Sequence, residues 1–511
     1  MVPVVTNHHA TRLKSHSGGA LCLPPRSIAL TVLPLLLSAC AMDGGWLTTV
    51  GPDYQPTPLP VAEHWQAPQP DAPTLPHHGD PAGLARWWQR FDDPVLSRLL
   101  AAAQSVSASV AQAKARIEEA RAGLTGAEVA AIPSLDTDLN AGRSVFSFGG
   151  PVFTRTQYQW NLQSNWEIDL FGGMARQREA AQSRLDSRNA SWHDARVAVA
   201  VETANAYLAY RYAEARRQLA SADAESRAES ARLAAIAGRA GFRAPADVAL
   251  AAAGAAEGKQ GLLQQQAQCE RLLQGLVALT GLEPAEARRL LTGTPERQAR
   301  LPTPPPFRVD ALPARVLLQR PDLAAAERDV AAASAAIGVE QAKRFPRLSL
   351  TGNIAYAFQN MNAASLLLAQ TWSVGPTLSL PLFDAGKRAA DVDAARAQYE
   401  AAVAGFHATA RTAVQEVETA LVRLHSAGER LPQARSAAAG YHTSWRAAQD
   451  LYQAGLGSLL DAETARRNAL AADLTVVELE QERVSAWIAL YRAAGGAWED
   501  DGGDAVSAEH G

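Results

Sequence analysis

The residues able to do chemistry are few and are not gathered. No phosphate-binding Gly loop, no HExxH pair and no Gly-x-Ser-x-Gly in a nucleophile-elbow context occurs in the 511 residues. His77-His78 stands in a Pro-rich stretch, where a solvated loop outweighs a metal site. Carboxylates are numerous, yet no spacing pairs two of them into an acid/base couple. Cys269 falls inside a helical pattern and reads as a buried helix-face thiol. These residues predict neither an enzyme nor a cofactor or metal site.

One cysteine is different. Arg12, Lys14 and Arg26 precede the apolar run Ser27 to Ala39, and no acid occurs before Asp43. A basic segment followed by a short apolar one is the pattern of an export signal. A membrane-spanning helix needs about 20 apolar residues, more than this run has. The run ends in Leu37-Ser38-Ala39-Cys40, which resembles the bacterial lipobox, in which the Cys thiol receives a diacylglyceryl group before cleavage. Removing residues 1–39 would take the formal charge from −4 to −7, because three basic side chains and no acids leave. That balance, without any Lys/Arg block, argues against nucleic acid as a partner. Cys22 would leave with the signal and Cys40 would be lipidated, so no disulfide framework is expected.

The elements that must position anything else are helices and a few strands. Gln157 to Leu170 alternates: Tyr158, Trp160, Leu162, Ser164, Trp166, Ile168 and Leu170 against Gln157, Gln159, Asn161, Gln163, Asn165, Glu167 and Asp169. Such a period-two pattern describes a strand with one apolar and one polar face. In a soluble sheet the apolar face would cover a core. In an outer-membrane barrel it would face lipid, with the polar face on a water-filled lumen. The lipobox and the long helices favour the second arrangement.

The chain also says most things twice. Ile132-Pro133-Ser134-Leu135 recurs as Phe345-Pro346-Arg347-Leu348, Leu170-Phe171 as Leu382-Phe383, and Ala240-Gly241 with Asp247 as Ala454-Gly455 with Asp461. A near-constant shift marks a tandem duplication. Each copy predicts a helix (about 94–130 and 313–343) and two strands (134–146 and 155–171, then 347–359 and 371–382). A very long helix follows (174–237 and 387–452), then a returning one (246–280 and 458–494). The expected organisation is a signal peptide 1–39, a lipidated extended segment 40–90, repeat one 91–300, a Pro-rich linker 301–312, repeat two 313–498 and a polar tail 499–511. Four strands cannot close on themselves, and an open edge in lipid leaves backbone groups unpaired. Closure therefore requires several copies of the chain.

At Gly51-Pro52-Asp53-Tyr54, Trp87-Trp88, Asp93-Pro94-Val95-Leu96, Arg320-Pro321-Asp322-Leu323, Ala326-Glu327-Arg328 and Gly495-Gly496-Ala497-Trp498 the chain resembles the TolC-type outer-membrane efflux channels, in their lipoprotein (NodT-like) branch. The similarity spans about Gly51 to Trp498. It implies a mixed α and β membrane protein: a homotrimer whose twelve-stranded outer-membrane barrel continues into a periplasmic α-helical barrel. It also implies a Gram-negative outer-membrane location, a periplasmic adaptor protein, and a proton-driven inner-membrane transporter that supplies the energy. The duct itself is passive, exporting drugs, metabolites or metal ions. A type I protein-secretion channel shares the fold and stands as the alternative.

Gly241 and Gly455 match the family's turn glycines, where the adaptor docks. Asp247, Tyr452, Asp461 and Glu463 match the region of its periplasmic aperture, although Asp247 and Asp461 could equally cap the returning helices. The family's usual acidic position after the second turn falls on Thr464, with Glu463 beside it, which leaves the charged ring open.

Overall fold

A computed structural model describes residues 44–59, 64–68, 84, 87–292, 302–304, 309, 316–361 and 364–496. Cys40, the signal segment, His77-His78, most of the Pro-rich linker and the tail from 497 lie outside them.

The first helix is two. α1 (Pro94–Val106) starts with Pro in its first turn, and the Asp93 carboxylate accepts the Val95 and Leu96 N–H groups at 3.0 and 3.3 Å. Ser107 then takes an extended backbone (ψ 120°), and its hydroxyl accepts from Val110 N–H at the start of α2 (Ala108–Val129). A Ser among alanines left no break visible in the helical spacing.

Strands β1 (Ser134–Phe146) and β2 (Phe153–Ile168) form a hairpin. Helix α3 (Gly173–Arg239) descends, α4 (Pro245–Thr280) returns, and a short α5 (Pro284–Leu291), which the sequence pattern did not predict, follows. The order then repeats: α6 (Pro321–Ala342), β3 (Arg347–Met361), β4 (Ala364–Ser379), α7 (Lys387–Gln453) and α8 (Leu459–Ala493). Both descending helices have 67 residues, ~100 Å at 1.5 Å per residue.

β2 and β4 end three residues earlier than their alternation suggests, and side chains explain why. The Asp169 carboxylate leaves the ladder to accept the Gly173, Met174 and Ala175 N–H groups at 2.8–3.0 Å, the free donors of α3. Pro381 has no N–H for a ladder. After it, Asp384 accepts from Gly386 and Arg388 N–H at the start of α7.

The sheet order is β1-β2-β3-β4, all antiparallel. The helices beneath follow the same order, because α2 packs on α3, α3 on α6 and α6 on α7. β1 and α2 therefore form one end of the row, β4 and α7 the other. The main core lies beside the middle of the long helices. There Trp87 stacks on Tyr491 (centroids 4.6 Å apart) among the buried side chains Leu208, Leu276, Leu421 and Ile488.

Candidate functional site

The function expected from the sequence falls on two places: the sheet and the far ends of the helical hairpins. The register brings the alternation of all four strands into one pattern. Leu139 faces Trp160, which faces Tyr356, and Ile354 faces Trp372. Tyr158, Leu162, Trp166 and Ile168 share that side, paired with Phe358, Ile354, Leu350 and Leu348. The other side carries Asp136, Asp138, Asn140, Gln157, Gln159, Asn161, Gln163, Asn353, Thr371 and Ser373. On it, Gln157 donates to Gln159 at 3.2 Å and Gln159 to Asn161 at 2.9 Å, a ladder of amides along one strand. Among the described residues no layer covers the apolar side: Leu139, Trp372 and Val374 are 78 %, 72 % and 66 % exposed. So large an apolar surface needs an apolar environment. Among the described residues no helix is long and apolar enough to cross a membrane.

Both hairpins reverse by the same device. Phe242 N–H reaches Ala237 C=O at 2.8 Å and Gly241 N–H reaches Gly238 C=O at 3.1 Å; Leu456 to Leu451 and Gly455 to Tyr452 repeat this at 2.9 and 3.1 Å. These paired bonds form a Schellman cap, which needs a left-handed residue after the last helical one. Gly241 (φ 78°) and Gly455 (φ 76°) supply it. Phe242 and Leu456 extend from the turns, 85 % and 78 % exposed.

The residues assigned to the aperture are not brought into one cluster. Tyr452 rests on the other hairpin: its ring lies 4.5 Å from the Arg243 guanidinium and packs against Ala234, Ala251 and Leu459. Asp461 is the third residue of a capped helix, accepting from Ser458 Oγ at 2.6 Å while Ser458 Oγ accepts the Asp461 N–H at 3.1 Å. Asp247 lies in the first turn of α4, where a carboxylate favours the helix dipole. Glu463 pairs with Arg466, whose guanidinium also lies 3.4 Å from Asp223 Oδ1. Asp223 holds Arg227 at 2.9 Å, and Arg227 reaches Glu257 at 3.4 Å. This ionic chain crosses from α8 to α3 to α4. Sequence reasoning missed Asp223, Arg227 and Arg466. The four-residue step from Asp223 to Arg227 and the three-residue step from Glu463 to Arg466 were readable, but their meeting across hairpins was not.

The extended N-terminal segment is held beside these layers. Trp46, Leu47 and Val50 N–H groups bond Asp169, Leu170 and Phe171 C=O at 2.8–3.0 Å. Buried Arg176 donates to Val50 and Gly51 C=O and pairs with Asp53 at 2.6 Å. Farther along, the Glu418 carboxylate accepts the Gln66 and Ala67 N–H groups at 2.7 and 2.8 Å.

Among the described residues no group of three or more His, Cys, Asp or Glu side chains could hold a metal. Burial and the nearby Glu214 push the Cys269 thiol up to about 11, unlike a reactive thiolate.

Comparison with known proteins agrees with this architecture. The family model described as "Outer membrane efflux protein" matches residues 99–282 and 312–496, one segment for each set of helices and strands. The nodulation protein T of Rhizobium leguminosarum bv. trifolii is 30 % identical over 472 residues, covering 89 % of this chain and 93 % of that protein. The solvent efflux pump outer membrane protein SrpC of Pseudomonas putida is 28 % identical, covering 91 % and 97 %. The solved structure of the outer-membrane channel OprN superposes with a TM-score of 0.75 at 28 % identity, covering 88 % of this chain and 99 % of that one. With both segments matched over well more than half its length, the chain belongs to the outer membrane efflux protein family, whose members are channels of the Gram-negative outer membrane.

Proposed function

We propose that this protein is the outer-membrane duct of a tripartite efflux assembly. Three copies close a twelve-stranded barrel and a helical barrel beneath it, in two tandem repeats, 91–300 and 313–498, joined by the 301–312 linker. The observation that carries this reading is the shared order of the two layers. β1 with α2 and β4 with α7 leave matching open edges, and only a neighbouring copy can pair the strand edges in lipid. A periplasmic adaptor docks at Gly241 and Gly455, where Phe242 and Leu456 offer apolar contacts. The Tyr452–Arg243 contact and the Arg466–Asp223 ion pair hold the hairpins together around the periplasmic mouth. Energy comes from an inner-membrane transporter, so the duct is passive and not an enzyme. Small-molecule export is favoured over type I protein secretion because relatives such as SrpC are named for solvent efflux. Lipidation at Cys40 anchors the chain beside its barrel.

The deciding experiment uses the purified full-length protein. Light scattering after size exclusion is expected to give a trimer, and planar bilayers are expected to show discrete conductance steps. A monomer that leaves bilayers silent would overturn this reading. Fatty-acid labelling lost in Cys40→Ser supports the anchor, and labelling retained removes it.

A further inference from the structure

Arg116 of α2 and Arg184 and Arg188 of α3 line one groove of about 280 Å³, with Gln177, Glu119 and the open side of Gly123. None of the three guanidiniums has an ion pair or hydrogen bond among the described residues. On the same helices Arg121 pairs with Glu118, and Arg176 with Asp53 and Glu179. Three cations against the one carboxylate of Glu119 leave the groove with excess positive charge.

The groove reaches up to the base of the sheet through Gln177. Gln177 also borders the cavity lined by Glu167 and Arg347, residues of the sheet's polar face. The adjoining flank of the same helices, about 100° round at Glu128 and Arg178, borders the cavity with Trp46 and Trp166, which shares Ala127 with the groove and Glu167 with the cavity above. At 100° per residue, Arg184 and Arg188 lie within ~20° of Gln177 about the axis of α3, whereas Glu179 and Asp186 lie about half a turn away. The arginines therefore continue the polar face downward, ~17 and ~23 Å along α3 from Gly173.

We propose that this groove is an anion station on the inner wall of the duct, taking small organic anions that carry a carboxylate or phosphate. The proposal rests on the duct reading above. A guanidinium offers a planar fork that matches such groups in a bidentate way. Walls of low dielectric on either side focus the field of like charges into the passage. The sheet above mixes charges on the same face, Asp136, Asp138 and Glu167 with Arg155, Arg347 and the Gln157–Asn161 ladder, whereas the groove sets three arginines against one carboxylate. Each copy of the chain repeats it.

The test is the full-length protein in planar bilayers, with benzoate as the probe. Under a KCl gradient, the combined Arg116→Gln, Arg184→Gln, Arg188→Gln variant is expected to shift the reversal potential toward cation preference, with a several-fold rise in the K⁺/Cl⁻ permeability ratio. Millimolar benzoate is expected to reduce wild-type current and to leave this variant's current unaffected. The corresponding triple Lys variant is expected to keep the wild-type reversal potential. Gln variants that conduct with unchanged reversal potential and unchanged benzoate sensitivity overturn the station, as does a Lys variant that shifts as far as Gln. Wild-type protein that never conducts would instead overturn the duct.

Discussion

Arg466 on α8 and Asp223 on α3 face each other at 3.4 Å with side chains only 6 % and 10 % exposed, so the two hairpins are joined by a buried ion pair. The pair is loose: Arg466 Nε and Asp223 Oδ1 have no hydrogen-bond partner. A buried charge that loses its partner is destabilising by about 3 kcal/mol or more, and Arg227 remains beside Asp223 to moderate that. Arg466→Ala is therefore expected to lower the melting temperature by a few degrees and to raise single-channel conductance, because the hairpins part more easily. Arg466→Ala with Asp223→Ala should recover part of the stability and none of the closure. Unchanged conductance in both variants would show that the pair supports the fold and does not gate.

The two faces of the sheet respond differently to charge. Trp160→Arg places a cation beside Tyr356, whose ring lies 5.6 Å from that of Trp160, on the apolar side. The cost is about 2–4 kcal/mol near the bilayer midplane and less toward an interface. Gln159→Arg sits one residue away on the amide ladder. It is expected to fold, assemble and alter ion selectivity. Heat-modifiable migration of the assembled protein on gels reads the first effect and reversal potential the second. Equal loss of assembly from both would point to a sheet packed on two sides.

What the sequence revealed follows from what repeats locally. Alternation along β2 and the matching second copy identified all four strands and both faces, since side-chain direction in a strand depends only on parity. The Gly241 and Gly455 turns were visible because a left-handed cap needs that residue type. Contacts that depend on the relative height of distant elements were invisible. Arg466 meets Asp223 across 243 residues, and Gln66 N–H meets Glu418 across 352. The end of β2 was misjudged because Asp169, polar and in phase with the alternation, leaves the sheet to cap α3, and β4 begins at Ala364, seven residues before the expected start.

A close backbone approach fixes the N-terminal segment. A Cβ on Gly51 would stand 2.4 Å from Gly338 Cα, and one on Gly338 would stand 2.7 Å from Arg176 Cγ. Gly338→Ala must therefore push Arg176 away from Val50 and Gly51. We expect α6 itself to keep its helicity, since Ala is the better helix former by roughly 1 kcal/mol. The expected result is faster proteolysis between residues 44 and 67 with normal helical content. Unaltered proteolysis would show that the segment accommodates the methyl group.

Burial first, then the carboxylate of Asp322, raise the Asp194 carboxyl above its ordinary range; Arg492 and Arg320 oppose them in part, and Glu416 adds the smallest contribution upward. A carboxyl raised in the folded state binds its proton more tightly there than in the unfolded chain. Stability from this group is thus greatest at acid pH and falls as pH rises from the ordinary carboxylate value through the raised one. Asp194→Asn removes that dependence and is expected to raise the melting temperature at pH 7 while changing it little at pH 4. Equal shifts at the two pH values would assign the effect to packing.

The hairpin tips separate strain from docking. Among the described residues, neither Gly241 nor Gly455 has an atom beyond its two chain neighbours within 4 Å of where a Cβ would stand, so a side chain there meets no obstacle among them. The left-handed backbone remains, and a residue other than Gly destabilises it by about 1–2 kcal/mol. Ala at either position is expected to show that small loss alone, with efflux intact. Trp adds bulk outside the turn, beside Phe242 or Leu456, where the proposed adaptor would approach. Gly241→Trp and Gly455→Trp are therefore expected to form the proposed trimers and reach the outer membrane, because the sheet lies at the other end of helices ~100 Å long. Their efflux and adaptor crosslinking should fall while bilayer conductance stays normal. Crosslinking and drug resistance at wild-type levels in both Trp variants would remove the adaptor from these tips.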